Sequence, residues 1–186
     1  MALARRPESA QIPDVELTRM RRRHLRRVLA IEGQVYPRPW SASLFLSELS
    51  QRTTRSYIVA RLDGFVVGYC GMMFTGLEAH VTNIAVDPDF HHTKIGTRLL
   101  LKQITEAVAR GAKTISLEVR VSNVKARAMY EKFGFSAVGV RKGYYIETAE
   151  DAYVMVVEDA ASTDYRLRLS AIRDELDRLA GGDVDE

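Results

Sequence analysis

The sequence predicts a mixed α/β fold in one compact unit, and three observations carry that expectation. A chain of 186 residues, 46% of them hydrophobic, can bury one full core. The hydrophobic period changes along the chain, helical at first, β-rich from about residue 56, then alternating helix, strand, helix, strand, strand. Strong turn and stop residues punctuate those changes: Pro37 and Pro39, Asp63-Gly64, Gly111 and Gly134.

Taken in order, residues 1–14 are polar, contain two prolines and read as a flexible tail. The pattern then predicts a helix from about Leu17 to Val35, with Leu25, Val28, Leu29 and Ile31 available for burial. "YPRPW" breaks it. Ser41 is a natural N-cap for the short amphipathic helix "ASLFLSEL". "SYIVARLDGFVVGYCGMMF" reads as two strands around an Asp63-Gly64 hairpin turn. "HVTNIAVD" is a further strand, continuously apolar at Ile84-Ala85-Val86 as a central strand is. A long helix runs from about Ile95 to Arg110 and ends at Gly111. "KTISLEVR" is a strand, and "NVKARAMYEKF" a helix that Asn123 caps and Gly134 stops. "SAVGVR" and "DAYVMVVE" are two more strands, joined by "KGYYIETAE". Residues 15–158 thus form the domain, and 159–186 a helical extension with a frayed acidic end.

Composition narrows the function classes. Formal net charge is +3, too little by itself to argue for a nucleic-acid partner. The single cysteine, Cys70, leaves no internal disulfide. No segment approaches the ~20 apolar residues of a membrane span, and the N-terminus lacks an apolar signal core. A cytoplasmic protein without membrane attachment is the expectation.

The stretch "DPDFHHTKIGTRLL" has the character of a helix entrance. A first helical turn presents N–H groups without intrahelical partners, and the dipole adds partial positive charge. An anion docks there readily. Gly96 lets backbone approach it, while Lys94 and Arg98 add charge. A metal is not expected: His91 and His92 are adjacent, and no carboxylate or cysteine stands at a ligand spacing. Downstream, Glu118 lies in an apolar strand, where a carboxylate is costly unless paired or functional. Asn123, Arg127 and Tyr130 follow at helical spacings of four and three.

Together "NIAVDPDF", "KIGTRLL", "LEVRVSNVKARAMYEKFGF" and "VRKGYYIETAEDAYVM" resemble the GNAT superfamily of acetyl-CoA-dependent N-acetyltransferases, from about Val15 to Glu158. Within it they look most like the RimI-type enzymes that acetylate the N-terminal alanine of ribosomal protein S18. The resemblance implies a mostly antiparallel twisted sheet, splayed around the acetyl-CoA site and flanked by helices. It implies that backbone of Ile84, Ala85 and Val86 contacts the pantetheine arm and thioester. It also implies that amides of His92, Thr93, Lys94, Ile95, Gly96 and Thr97 cradle the pyrophosphate, and that Asn123 bonds the pantetheine. One departure stands out. The family loop is usually Arg/Gln-x-x-Gly-x-Gly/Ala, and here His91 and Lys94 replace the first residue and the first glycine.

The same resemblance assigns Glu118 as general base through a water and Tyr130 as general acid for the coenzyme A thiolate. Tyr36, Trp40, Tyr144 and Tyr145 are the candidates for gripping a peptide N-terminus. An α-amine, with a pKa of about 7.7–8.0, needs less help than lysine at about 10.4. The alternatives are a lysine or small-molecule acetyltransferase, or a coenzyme A- or RNA-binding module without catalysis. The arginine cluster Arg19, Arg21, Arg22, Arg23, Arg26 and Arg27 gives the RNA reading its substance and fits an enzyme working near the ribosome.

Overall fold

A computed structural model of the chain describes residues 13–181. Most of the expected N-terminal tail and the acidic end after residue 181 lie outside the described residues. The strands are β1 (Glu16–Arg19), β2 (Arg55–Leu62), β3 (Phe65–Thr75), β4 (Glu78–Val86), β5 (Thr114–Arg120), β6 (Ser136–Tyr145) and β7 (Glu150–Val157). The α-helices are α1 (Leu25–Val35), α2 (Ala42–Ser50), α3 (Ile95–Ala109), α4 (Val124–Lys132) and α5 (Thr163–Gly181). The strands form one sheet in the order β1-β2-β3-β4-β5-β7-β6.

Each face of the sheet carries its own core. On one side, Leu99 and Ile104 of α3 and Leu169 and Ile172 of α5 pack with Ile58, Val67, Met72 and Leu117. On the other, Val28 and Ile31 of α1 and Phe45 of α2 pack with Tyr57, Val59 and Tyr69. β2 alternates Tyr57 and Val59 toward one core with Ile58 and Ala60 toward the other, so it reads as a continuous apolar run. The α5 face of Tyr165, Leu169, Ile172 and Leu176 is buried in the first core, so the C-terminal helix is part of that core.

Local signals acted where they were read. Ser41 caps α2, its Oγ accepting from Leu44 N at 3.2 Å. Asn123 caps α4, its Oδ1 accepting from Ala126 N at 3.2 Å. Each such cap is worth about 1 kcal/mol. Asp63 and Gly64 take φ of 49° and 85°, the doubly positive turn that suits a two-residue hairpin.

Two expectations are corrected. The helix expected from Leu17 begins only at Leu25, after strand β1 and a 3-10 turn over Arg22–His24. Leu17 pairs with Ala60, and Met20 N donates to the Tyr57 carbonyl at 2.8 Å. The open edge of β2 offers this segment backbone partners, whereas one continuous helix would stack like charges three and four residues apart. The arginines therefore do not share one helical face. Arg19 is on an edge strand, Arg22 and Arg23 are in the turn, and Arg27 on α1 pairs with Asp87. The second correction concerns "KGYY", expected in a connection. It continues β6 as far as Tyr145, with a register irregularity between Arg141 and Tyr145. Asp151 pins that segment by accepting from Gly143 N at 2.8 Å and Lys142 Nζ at 2.7 Å.

The feature that creates the site is a fork. Among the described residues β4 and β5 are the one parallel neighbour pair, and they pair only over Glu78–His80 and Thr114–Ser116. Beyond those residues both strands continue without bonding each other. The register of β3 against β4 shifts beside Thr82, with Gly71 opposite Asn83 and Met72 opposite Val81. Such a bulge bends and twists a strand, and here it falls where β4 turns away from β5.

Candidate active site

The fork opens a cleft with two connected chambers. The larger, about 680 Å³, is lined by Ile84, Ala85 and Val86 of β4, the loop His91–Lys94, the start of α3, and Asn123 and Met129 at α4. The smaller, about 250 Å³, is lined by Glu32, Trp40, His80, Asn83 and Tyr144 among others. Tyr36, Ile84, Glu118, Tyr130 and Tyr145 line both, which places them at the junction.

Main chain dominates the larger chamber. Lys94 is the N-cap of α3 and takes φ 62°, and His92 takes φ 67°. Both are left-handed conformations that favour glycine and cost other residues about 1–2 kcal/mol each. The position where the family has glycine thus keeps a glycine-type backbone with a lysine on it. Arg98 N donates to the Lys94 carbonyl at 3.0 Å and closes the first turn. The N–H groups ahead of it have no intrahelical acceptor and line the chamber mouth. A Cβ on Gly96 would meet Val86 Cγ2 at 3.7 Å and Met129 Sδ at 3.8 Å, ordinary contact distances. The His91 ring folds back to bond the Val86 carbonyl at 2.9 Å, and Lys125 Nζ lies 3.4 Å from His92 Nε2. A chamber of this size, with a basic loop and free amides at one end and an unpaired strand edge along its side, fits an elongated anionic cofactor of the coenzyme A type. Among the described residues no cluster of three or more His, Cys, Asp and Glu is placed to hold a metal ion.

Two backbone-contact expectations are refined. The Ile84 carbonyl already accepts from the Tyr36 hydroxyl at 2.7 Å, so Tyr36 serves as a brace on β4 with its hydroxyl engaged. Asn123 uses Oδ1 for its cap, which leaves its amide NH₂ as the group free to face the chamber.

Side chains dominate the smaller chamber. Glu118 projects from β5 at the fork, its side chain 10% exposed. Oε2 lies 3.1 Å from His80 Nε2 and Oε1 lies 3.3 Å from an Arg141 guanidinium nitrogen. The His80 bond, outweighing partial burial and helped by Arg141, holds the Glu118 carboxyl below the usual glutamate range. Tyr130 is buried, and among the described residues nothing bonds its hydroxyl. Burial pushes its pKa well above the usual tyrosine value, so it stays protonated at any physiological pH. Tyr144 and Tyr145 stand edge to face at 5.1 Å, with the Arg120 guanidinium 3.7 Å over Tyr145. Burial raises the Tyr144 phenol and, chiefly, takes Tyr145 up to about 12. Trp40 packs on Phe45 at 5.4 Å.

The structure brings Glu118, Tyr130, Tyr36 and Tyr145 to the junction and Trp40 and Tyr144 to the smaller chamber beside it, and it adds two residues that sequence reasoning missed. His80 is one. Its signal was faint, one polar residue among several in β4, with Glu78, Thr82 and Asn83 beside it. Glu32 is the other, 1% exposed on α1. Its carboxylate accepts from Trp40 N at 2.8 Å and, more weakly, from Asn83 Nδ2 at 3.5 Å. Burial raises its pKa, and these hydrogen bonds only partly oppose that. A glutamate within an otherwise apolar helical stripe was the available clue.

Comparison with known proteins agrees with this geometry. The sequence matches the acetyltransferase (GNAT) family over residues 25–135. The ribosomal protein bS18-alanine N-acetyltransferase of Escherichia coli K12 is 36% identical over 129 residues, covering 68% of this chain and 86% of that protein. The Nα-acetyltransferase RimI of Mycobacterium tuberculosis is 35% identical over 153 residues, covering 79% and 94%. Among solved structures, the Escherichia coli ribosomal-protein-S18-alanine N-acetyltransferase superposes with a TM-score of 0.73 at 30% identity, over 81% of this chain and 97% of that one.

Proposed function

This chain belongs to the GNAT family of acetyltransferases, and from that premise we propose that its substrate is the N-terminal amine of a protein, in particular the alanine N-terminus of ribosomal protein bS18. Its chemistry is acetyl-CoA-dependent Nα-acetylation, as its relatives' names describe. The observation that carries the residue assignment is the meeting of Glu118 and Tyr130 at the junction of the two chambers.

Bound acetyl-CoA supplies the thioester carbonyl that the amine attacks. The loop amides from His92 to Thr97 and the Asn123 amide hold the cofactor, with Lys94 as a mobile positive charge near the phosphates. Glu118 takes a proton from the incoming ammonium through a water. Its lowered pKa makes it a weak base, but the demand is small. At neutral pH roughly a tenth of an α-amine with pKa about 7.7–8.0 is already free base, so deprotonation costs about 1 kcal/mol. For lysine, near 10.4, the same step costs about 4–5 kcal/mol. A weak base at this position therefore favours α-amines. Tyr130 donates its hydroxyl hydrogen toward the departing sulfur. A thiol ordinarily titrates near 8.5, well below this phenol, so hydrogen bonding to the thiolate dominates over complete transfer. Tyr144 and Tyr145 form the wall against which a short first residue packs.

A second surface supports a ribosomal setting. Arg19, Arg21, Arg22, Arg23 and Arg52, all exposed, line a groove of about 750 Å³ floored by Met20, Leu46 and Leu49. Among the described residues no carboxylate lines it, and burial together with the neighbouring arginines lowers the His24 pKa. Guanidinium forks match phosphate oxygens, so RNA is the partner this groove fits.

The test offers purified protein two peptides and reads the product by mass spectrometry. One begins Ala-Arg and lacks lysine; the other has a blocked N-terminus and an internal lysine. Acetylation of the first alone, lost in Glu118→Gln, is the expected result. Acetylation of the second replaces the reading with a lysine enzyme. RNA binding that weakens with salt, survives Glu118→Gln and is lost in Arg22→Glu/Arg52→Glu is expected of the groove.

A further inference from the structure

His80 and Ser116 form the last paired position of β4 and β5 before the strands part. Glu118 lies two residues beyond Ser116 on β5, on the same face. This places His80 between two side chains of the neighbouring strand. Nδ1 is 2.9 Å from Ser116 Oγ, and Nε2 is 3.1 Å from Glu118 Oε2.

Donor and acceptor chemistry orders these contacts. An ionised carboxylate only accepts, so Nε2 carries the hydrogen toward Glu118. In a neutral ring Nδ1 is then a lone pair, and the Ser116 hydroxyl must donate to it. The chain is Ser116 O–H to Nδ1, then Nε2–H to Glu118. Its effect is to fix one oxygen of Glu118 and turn the carboxylate. The other oxygen meets Arg141, a residue whose own side chain is 56% exposed to solvent.

We propose that His80 is a positioning residue for the acetyl transfer: held by Ser116 as its neutral Nε2–H tautomer, it orients Glu118 toward the relaying water, and its protonation slows the enzyme in acid. The proposal rests on the reading of Glu118 as base. Protonation places a hydrogen on Nδ1, which expels the Ser116 donor, and sets a full positive charge against the carboxylate, which weakens it as a base. Glu32, Arg38, Arg120 and Glu147 also line this chamber, but among the described residues only Ser116 and Glu118 bond the ring. Arg120 is held by Glu147 and Glu150, and Glu32 by Trp40 N.

The reaction balances without His80 changing its proton count. The ammonium gives one proton through water and Glu118 to solvent. The amine lone pair forms the N–C bond and the C–S bond breaks, its electron pair leaving on sulfur as a thiolate held by the Tyr130 hydroxyl. The second amine proton goes to solvent, from which the thiolate is protonated according to the ordinary thiol range near about 8.5. His80 holds geometry throughout.

The experiment compares His80→Ala, His80→Gln and Ser116→Ala for kcat/KM across pH 5 to 9, with coenzyme A affinity and thermal midpoint measured alongside as a check on folding. A Gln side-chain N–H can replace Nε2–H but cannot titrate. Expected is a loss of up to about 10²-fold in kcat/KM for His80→Ala, the scale of a mispositioned catalytic group. Recovery of most of it is expected in His80→Gln. A fall of wild-type kcat/KM toward acid should be absent in His80→Gln. In the free protein, nitrogen NMR of labelled histidine should report Nε2–H with Nδ1 bare at neutral pH, and Ser116→Ala should weaken that preference. Full activity of His80→Ala, an acid limb that persists in His80→Gln, or an Nδ1–H tautomer overturns the proposal. If instead Glu118→Gln is fully active, it is the underlying assignment of the base that fails. If His80→Ala does not fold, His80→Gln and the NMR measurement decide alone.

Discussion

On the cofactor side of the cleft the loop from His91 to Thr97 and the open edge of β4 present main-chain groups; on the amine side Glu32, His80, Glu118, Tyr144 and Tyr145 present side chains. The first kind of site depends on where the backbone runs. The second depends on which residue stands at each position and on what holds it. That contrast accounts for the departures in "HHTK". Replacing the usual glycine by Lys94 costs strain, because the residue keeps φ 62°, a backbone conformation of the glycine type. No comparable exchange is available at Glu118, where both oxygens are engaged by specific partners.

Two carboxylates of the smaller chamber, Glu118 partly buried and Glu32 buried, sharpen the contrast further. Glu118 has His80 and Arg141 beside it and titrates low. Glu32 has only neutral donors and titrates high, through burial. Burial alone does not decide the state of a carboxylate; hydrogen bonds and nearby charge can outweigh it, as they do at Glu118 and do not at Glu32.

The largest effect should come from Glu118→Gln, which keeps the shape and removes the base. A fall in kcat/KM of about 10²–10⁴-fold is expected, with coenzyme A affinity unchanged by calorimetry. A comparable loss of cofactor affinity would break the division of the cleft into two sides. Glu32→Gln should act on stability. A carboxyl whose folded pKa is raised contributes stability that is present below its unfolded value, near about 4.3, and lost as pH rises through the folded value. The amide has no such loss. Denaturant midpoints should therefore move in favour of Glu32→Gln as pH rises above about 4.3, by about 1.4 kcal/mol for each unit of the raised pKa. A difference independent of pH would place the charge of Glu32 elsewhere. The smallest effect should come from Lys94→Gly. Relief of the left-handed strain is offset by the flexibility of glycine in the unfolded chain, for a net gain near 1 kcal/mol or less. Coenzyme A affinity should fall several-fold at low salt and recover toward wild type in high salt, as expected for one lost phosphate contact. Tighter binding by Lys94→Gly at every salt concentration would mean that the lysine only obstructs the loop.

Much of this molecule could be read locally. The hairpin at Asp63-Gly64, the caps at Ser41 and Asn123, the stop at Gly111 and the helix entrance before Ile95 each depend on a few adjacent residues. The period of hydrophobic residues likewise names helix or strand within a window of a dozen positions. Glu118 and Tyr130 were legible as candidates, through a family resemblance carried by one short run of strand, turn and helix. Tertiary structure decided the rest. β1 is a strand because the edge of β2 lies beside it, against the helical pattern of its own residues. The cleft exists because β4 bulges beside Thr82 and leaves β5 after three paired residues. His80 meets Glu118, and Glu32 meets Asn83, through register and packing between segments distant along the chain. Propensity and capping are short-range energies that a sequence carries in plain order. Register, bulges and the partners of a buried charge are set by where other segments come to rest, and only the folded chain holds that information.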